Sequence, residues 1–183
     1  MESNLDMKAT KMKKPQRCAG CGKSRRDLRQ ATHEIAATRA PFAVARAPVE
    51  VELVPIAADV DDDDRASRLH AADRLLLQLA DIRRPGKSGS YDVYLALPPG
   101  ARPDDHPDHL AGRISLYGPP PRDQAPPRVF HFVLDVSRLR ATLAAALADR
   151  GYPLRVTIAP ADDWSDPVTV GRVALHVGLT PPA

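Results

Sequence analysis

Apolar and polar residues alternate in short runs along most of the chain, and proline, glycine and aspartate separate the runs, a pattern that predicts half-buried β-strands. Val49-Glu50-Val51-Glu52-Leu53 sets the valines and Leu53 on one face and the glutamates on the other. Arg74 to Ala80 is denser, around Leu75, Leu76, Leu77 and Leu79, and predicts a strand covered on both faces. Tyr91 to Leu97 alternates again with Tyr91, Val93, Leu95 and Leu97 inward, and these two segments are expected to pair as successive strands. Gly112 to Tyr117 offers Ile114 and Leu116 to one side before Pro119-Pro120-Pro121, which cannot donate to a ladder, opens a stiff exposed loop. Val129 to Val136 places Phe130, Phe132, Leu134 and Val136 on one face, with His131 and Asp135 opposite.

The period then changes. Ser137 suits an N-cap, and Arg138 to Asp149 carries Leu139, Leu143, Ala146 and Leu147 at helical spacing, with Gly151 and Pro153 to end the helix. Leu154 to Ile158, Val168 to Val170 and Val173 to Val177 resume the alternation, and the inward parity switches across Gly171-Arg172 as at a β-bulge. Asp61 to Asp64 reads as a solvated loop of like charges, because the alternation and glycine of a calcium loop are missing. The expectation is a mainly β domain over residues 45–178, a seven-stranded antiparallel β-sandwich or barrel with one short helix at about 138–149. A basic, disordered tail over 1–44 precedes it, and a short tail over 179–183 follows.

Charge sharpens that division. The 183 residues carry 26 Lys+Arg against 23 Asp+Glu, yet residues 1–30 hold nine basic and three acidic side chains, net +6, which leaves the rest at −3. Five of the six lysines fall at or before Lys23, so the tail differs in kind from the arginine-rich body. A body of this size fits one domain and leaves no room for a second, enzymatic one. No run approaches the roughly 20 apolar residues of a membrane span, so none is predicted. Ser24-Arg25-Arg26 is superficially a twin-arginine signal, but Gln30, Thr32, His33 and Glu34 are too polar for the apolar segment that should follow. A cytoplasmic location is expected, with export by that route as the alternative.

Candidate chemistry is sparse. Cys18-Ala-Gly-Cys21 has the spacing of half a zinc ribbon, of a redox dithiol or of a Cu(I)-handling pair, and the body has no thiol for a disulfide. A zinc site needs four ligands, and His33 is the one further candidate nearby. The six histidines include no pair at i, i+4. His106 and His109 stand three apart in Arg102-Pro-Asp-Asp-His-Pro-Asp-His109, where proline blocks an α-helix, so a solvated loop is expected, with an adventitious surface metal site as the alternative. The body has no glycine-rich phosphate loop, GxSxG elbow or nucleophilic cysteine, so catalysis by this chain alone is not expected. Lys8 to Arg29 is basic but has no interleaved aromatic residue or recognition helix; non-specific polyanion contact fits it, and sequence-specific nucleic-acid readout does not.

The order of these segments resembles the C-terminal domain of tyrosinases and polyphenol oxidases, including the plant domain named for its Lys-Phe-Asp-Val strand. Ser90-Tyr91-Asp92-Val93-Tyr94 is similar to that signature, with serine for lysine and tyrosine for phenylalanine. Val168-Thr169-Val170-Gly171-Arg172-Val173 resembles the family's closing Val-Thr-Ile-Gly-Gly-Val strand. The resemblance implies a β-sandwich or barrel that covers the entrance of a type-3 dicopper site and keeps the oxidase latent, with a tyrosinase-like dicopper domain as partner. The six ligating histidines and the His-x-x-x-His helices of the copper domain are absent here, so the implied role is non-catalytic shielding or assembly, with no cofactor in the β domain. Such a domain inserts one bulky side chain above the copper pair, and Leu116 and Tyr117 are the candidates, unless Leu116 is core and Tyr117 rim. The alternatives are a copper-handling accessory that passes Cu(I) through Cys18 and Cys21, like the CxxC loops of some fungal tyrosinases, and a stand-alone β-sandwich interaction module or gene remnant.

Overall fold

The computed structural model describes residues 32–56, 62–84, 89–117, 128–148, 153–162 and 167–178. Among them, eleven strands form two antiparallel sheets. The larger sheet contains β1 (Thr32–Ala37), β2 (Phe42–Val44), β4 (Val54–Pro55), β5 (Arg74–Arg83), β8 (Val129–Asp135), β10 (Val168–Val170) and β11 (Arg172–Gly178). The smaller runs in the order β3 (Val49–Glu52), β9 (Arg155–Pro160), β6 (Ser90–Leu95), β7 (Leu110–Ser115). The mainly β, two-sheet expectation holds as a sandwich, with more strands than the sequence suggested. Thr32-His-Glu-Ile-Ala-Ala37 and Phe42-Ala-Val44, assigned to the tail from sequence, are built into the larger sheet, β1 against β11 and β2 against β10.

One apolar core joins the inner faces of both sheets. Leu75, Leu77, Leu79, Val173 and Leu175 meet Val93, Leu95, Ile114, Val156 and Ile158, all essentially buried. Burying each of these side chains stabilises the fold by about 1.5–3 kcal/mol before ordering costs. β5 is covered on both faces, as its sequence predicts. It is not paired with the Tyr91 strand, however. β5 lies in the larger sheet and β6 in the smaller, where β6 is bonded to β7 and β9, so the chain crosses the sandwich between them.

Leu77 pairs with both Leu175 and Leu134, which puts β11 and β8 on opposite edges of β5. The parity switch read at Gly171 is real: Val168 and Val170 are buried before it, and Val173, Leu175 and Val177 after it. The extra residue lies elsewhere. Thr169 faces Arg83 and Arg172 faces Ala80 in one unbroken register, whereas β5 slips against β8 between Leu79 and Ile82. Two residues, Ala80 and Asp81, therefore oppose the single His131, so the bulge belongs to β5. Asp81 takes the left-handed backbone conformation, φ 54°, and Gly171 donates its N–H to the Asp81 carbonyl at 3.2 Å.

Two helices are described. α1 (Asp62–Ala71) takes in Asp62 to Asp64, where a solvated loop was expected, and Asp61 lies outside the described residues. α2 (Arg140–Ala148) lies against it, preceded by a 3-10 turn over Ser137–Leu139. Leu69, Leu139 and Leu143 join the main core from these elements. Ser137 does not act as the helix cap. Its hydroxyl donates to Asp135 Oδ1 at 2.6 Å and accepts the Leu75 N–H at 3.0 Å, tying the end of β8 to the start of β5.

The His106–His109 stretch is also more ordered than a solvated loop. Two successive 3-10 turns, Pro103–Asp105 and Pro107–His109, lead into β7, and both histidines are half-buried. No helix among the described residues is long and apolar enough to cross a membrane.

Candidate functional site

The two residues singled out as shielding candidates leave the end of β7 side by side and take opposite environments. Leu116 is fully buried in the main core, whereas Tyr117 is 64% exposed. The sequence period explains the split: Ile114 and Leu116 continue the inward parity of β7, and Tyr117 falls on the outward one. A buried Leu116 has no surface to present to a partner. Its place in the site is as the fixed base on which Tyr117 stands.

That base is held from three directions. Leu116 N–H donates to the Gly89 carbonyl at 2.9 Å, and its own carbonyl accepts from Arg84 Nη1. Tyr117 Oη lies 3.2 Å from Ser90 Oγ, which lies 3.2 Å from Ser115 Oγ. Ser90 is the first residue of β6 and faces Ser115 across the β6–β7 ladder, so the smaller sheet itself sets the spacing of these hydroxyls. Its carbonyl accepts the Ala161 N–H at 2.8 Å, which ties the same corner to the end of β9.

Arg84 is the least expected member. Only 2% of it is exposed, and its guanidinium lies 5.9 Å from the centre of the Phe130 ring. A buried cation is costly unless donors and aromatic faces replace its water, and the Leu116 carbonyl and Phe130 supply part of that replacement. Pro85 and Gly86, which follow it, give Arg84 the sequence context of a turn. The signal available was parity, since Ile82 and Arg84 continue one inward-facing row past the bulge.

The face beside this corner is built from an ordered ion pair. Asp92, the acidic residue of the Ser90-Tyr91-Asp92-Val93 strand, accepts two hydrogen bonds from Arg113 at 2.7 and 2.8 Å across β6 and β7. The carboxylate raises the Arg113 pKa further. Burial, then the negative charge of Asp92, raises the Tyr94 phenol on the same strand. Neither Ser115 nor Tyr117 has a base as its bonding partner in this hydroxyl row, and a hydroxyl needs one to become a nucleophile. What the arrangement can do is hold an aromatic side chain outward on an immobile stem. Cys18 and Cys21, the candidate Cu(I) ligands, lie outside the described residues.

Residues 31–178 match the family described as a domain of unknown function, DUF7868. The chain belongs to that family. The DUF7868 match begins one residue before β1, so it takes in the two strands that the sequence had left in the tail. No curated protein matches the chain. Among solved structures, latent aurone synthase (polyphenol oxidase) from natural source is similar at a TM-score of 0.49 and 18% identity. The recombinantly expressed form gives the same values. The recombinant form co-crystallised with hexatungstotellurate(VI) gives 0.46 and 17%. In each case the alignment covers 76% of this chain and 26% of the other, so this DUF7868 protein spans about a quarter of their length.

Proposed function

We propose that the chain is a shielding domain for a type-3 copper enzyme of the tyrosinase and polyphenol-oxidase kind, lying over the entrance of a dicopper site and holding it latent. The copper site would belong to a partner or to another part of the same polypeptide, and this domain would do no chemistry of its own. The observation that carries the reading is Tyr117, an aromatic side chain 64% exposed on a backbone clamped by Gly89, Arg84 and the buried Leu116. Tyrosine is favoured as an interface anchor because it brings large contact area at small entropic cost. The motif order supports the same reading, since Ser90-Tyr91-Asp92-Val93-Tyr94 forms β6 and Val168-Thr169-Val170-Gly171-Arg172-Val173 supplies β10 and the start of β11.

A stable cover of this kind buries roughly 800 Å² on each partner. The test is to mix the purified chain with a tyrosinase-like dicopper domain, follow diphenol oxidation, and run the mixture on a sizing column. Oxidation should fall with added chain and the two should co-elute. Tyr117→Ala should lose at least tenfold in inhibitory potency, about 1.4 kcal/mol, the loss expected for one anchor side chain. Unchanged oxidation without co-elution would sink the proposal.

A further inference from the structure

The cluster of His106, Asp108 and His109 is separate from the Tyr117 corner and has a use that neither the family match nor the shielding role assigns. Pro103 and Pro107 each open a 3-10 turn with a fixed φ, and the turns are closed by His106 N–H to the Pro103 carbonyl and by Leu110 N–H to the Pro107 carbonyl. A further bond, His109 N–H to the His106 carbonyl at 3.1 Å, draws the two histidines together. His106 itself joins the two turns with an extended φ of −129° and ψ of 62°, and the bond from His109 folds the second turn back onto it. A spacing of three therefore brings the two imidazoles together here without an α-helix. The rings stand 5.6 Å apart at 89°, and one donor atom from each of His106, Asp108 and His109 lies within 4.8 Å of the others.

A second observation comes from the shell behind the cluster. His109 is only 13% exposed, and its Nδ1 lies 2.9 Å from the Leu95 carbonyl. A carbonyl can only accept, so Nδ1 carries the proton and Nε2 presents its lone pair. Nε2 is 3.8 Å from Asp108 Oδ2, too far for a hydrogen bond and close enough for both to reach a shared cation. An imidazole whose far nitrogen donates to a backbone carbonyl is how metal-bound histidines are oriented. The ring is locked to β6 through Leu95, while Asp108 is 74% exposed and able to swing.

We propose that His106, Asp108 and His109 bind a borderline divalent transition-metal ion of the zinc class. Two imidazoles and one carboxylate suit such an ion, whereas calcium and magnesium demand oxygen donors. Bonds of about 2.0–2.2 Å require the donors to close to roughly 3.5 Å of one another, a movement of about 1 Å shared between the exposed Asp108 side chain and the half-buried His106 ring. Three protein ligands leave at least one coordination position for water or for a donor from another molecule.

The test uses the untagged full chain with Cys18→Ser and Cys21→Ser, so that thiols cannot report instead. Titration calorimetry with Zn²⁺ should give one site per chain, and zinc should raise the melting temperature while magnesium does not. His106→Ala and Asp108→Asn, both at positions outside the core, should each weaken zinc binding by about tenfold or more. Their metal-free melting curves should match the parent. Absence of one-to-one zinc binding in the cysteine-free chain, or binding that survives both substitutions unchanged, would overturn the proposal.

Discussion

Replacing Gly171 by alanine tests the register of the larger sheet at its tightest point. A Cβ on Gly171 would stand 2.6 Å from the Asp81 Cβ, 3.3 Å from the Asp81 carbonyl oxygen and 3.4 Å from the Ala80 carbonyl oxygen. Carbon atoms in contact prefer about 3.5–4.0 Å, so β5 and the β10–β11 path must part by about 1 Å. Overpacking of this sort costs about 1–3 kcal/mol, and loss of the Gly171 to Asp81 hydrogen bond adds about 1 kcal/mol. Gly171→Ala should therefore destabilise by about 2–4 kcal/mol, read from urea unfolding as a lower midpoint at unchanged slope. Asp81→Gly supplies the control, because it removes the nearest colliding atom and relieves a left-handed backbone that costs a non-glycine residue about 1 kcal/mol. Alone it should be neutral or stabilising. In the double variant it should recover about half of the loss, a coupling of at least about 1 kcal/mol. A Gly171→Ala protein within about 0.5 kcal/mol of the parent, or strictly additive effects, would refute the matched irregularity of the two strands.

Three further expectations concern charge. The Ser137 hydroxyl and then the Arg74 guanidinium hold the Asp135 carboxyl down to about 2; a lowered folded pKa stabilises above the unfolded value and is lost as pH falls. Stability should thus drop between about pH 4 and about pH 2, and Asp135→Asn should flatten that window by about 1 kcal/mol once solvent screening of this half-exposed pair is allowed for, checked by melts across the range. His176 is the opposite residue type with the same sign: burial lowers its pKa, so the unfolded chain binds the proton first below about pH 6.5 and acid erodes stability. His176→Leu should reduce that slope when melting is compared at neutral pH and about pH 5. Arg84→Met keeps the buried stem but removes the donor to the Leu116 carbonyl, for a cost of about 1–3 kcal/mol in denaturant. Arg113→Ala, at an exposed pair, should cost less than about 1 kcal/mol, and equal losses for the two would contradict the role given to burial.

Periodicity was most legible where one face of a strand is covered and the other is wet. β8 shows this: Phe130, Phe132 and Leu134 sit half-buried toward the core, while Val129 and Val133 are 46% and 45% exposed. β1 and β2 escaped notice because a strand made of Thr32, His33 and Glu34, or one three residues long, carries too little pattern of its own and is held by β11 and β10. Pairing between sheets was not legible either. Alternation in β6 says which face is inward, and the dense apolar run of β5 says that both of its faces are covered, but neither says that the two strands lie on opposite sides of one core. At the site, the strand signature led to Leu116 and Tyr117, and parity alone could have told them apart. Arg84 was hidden by its type, since an arginine beside proline and glycine reads as surface. The His106–His109 pair was hidden by its spacing, which makes sense only with the 3-10 turn that Pro107 opens between them.

The pairing of β1 with β11, with Thr32 opposite Gly178, sets a timetable for synthesis. The first described strand to leave the ribosome is sealed along one edge by the last. At about 5–20 residues per second, that edge waits roughly 7–30 seconds. The central strand β5 waits as well, because β10 and β11 together cover one of its edges. Nascent chains halted before Val168 would offer that apolar edge to any other unpaired strand, including one from a second ribosome on the same message. Ribosome-associated chaperones should therefore crosslink to β5 in chains stalled there and release it once Gly178 has emerged.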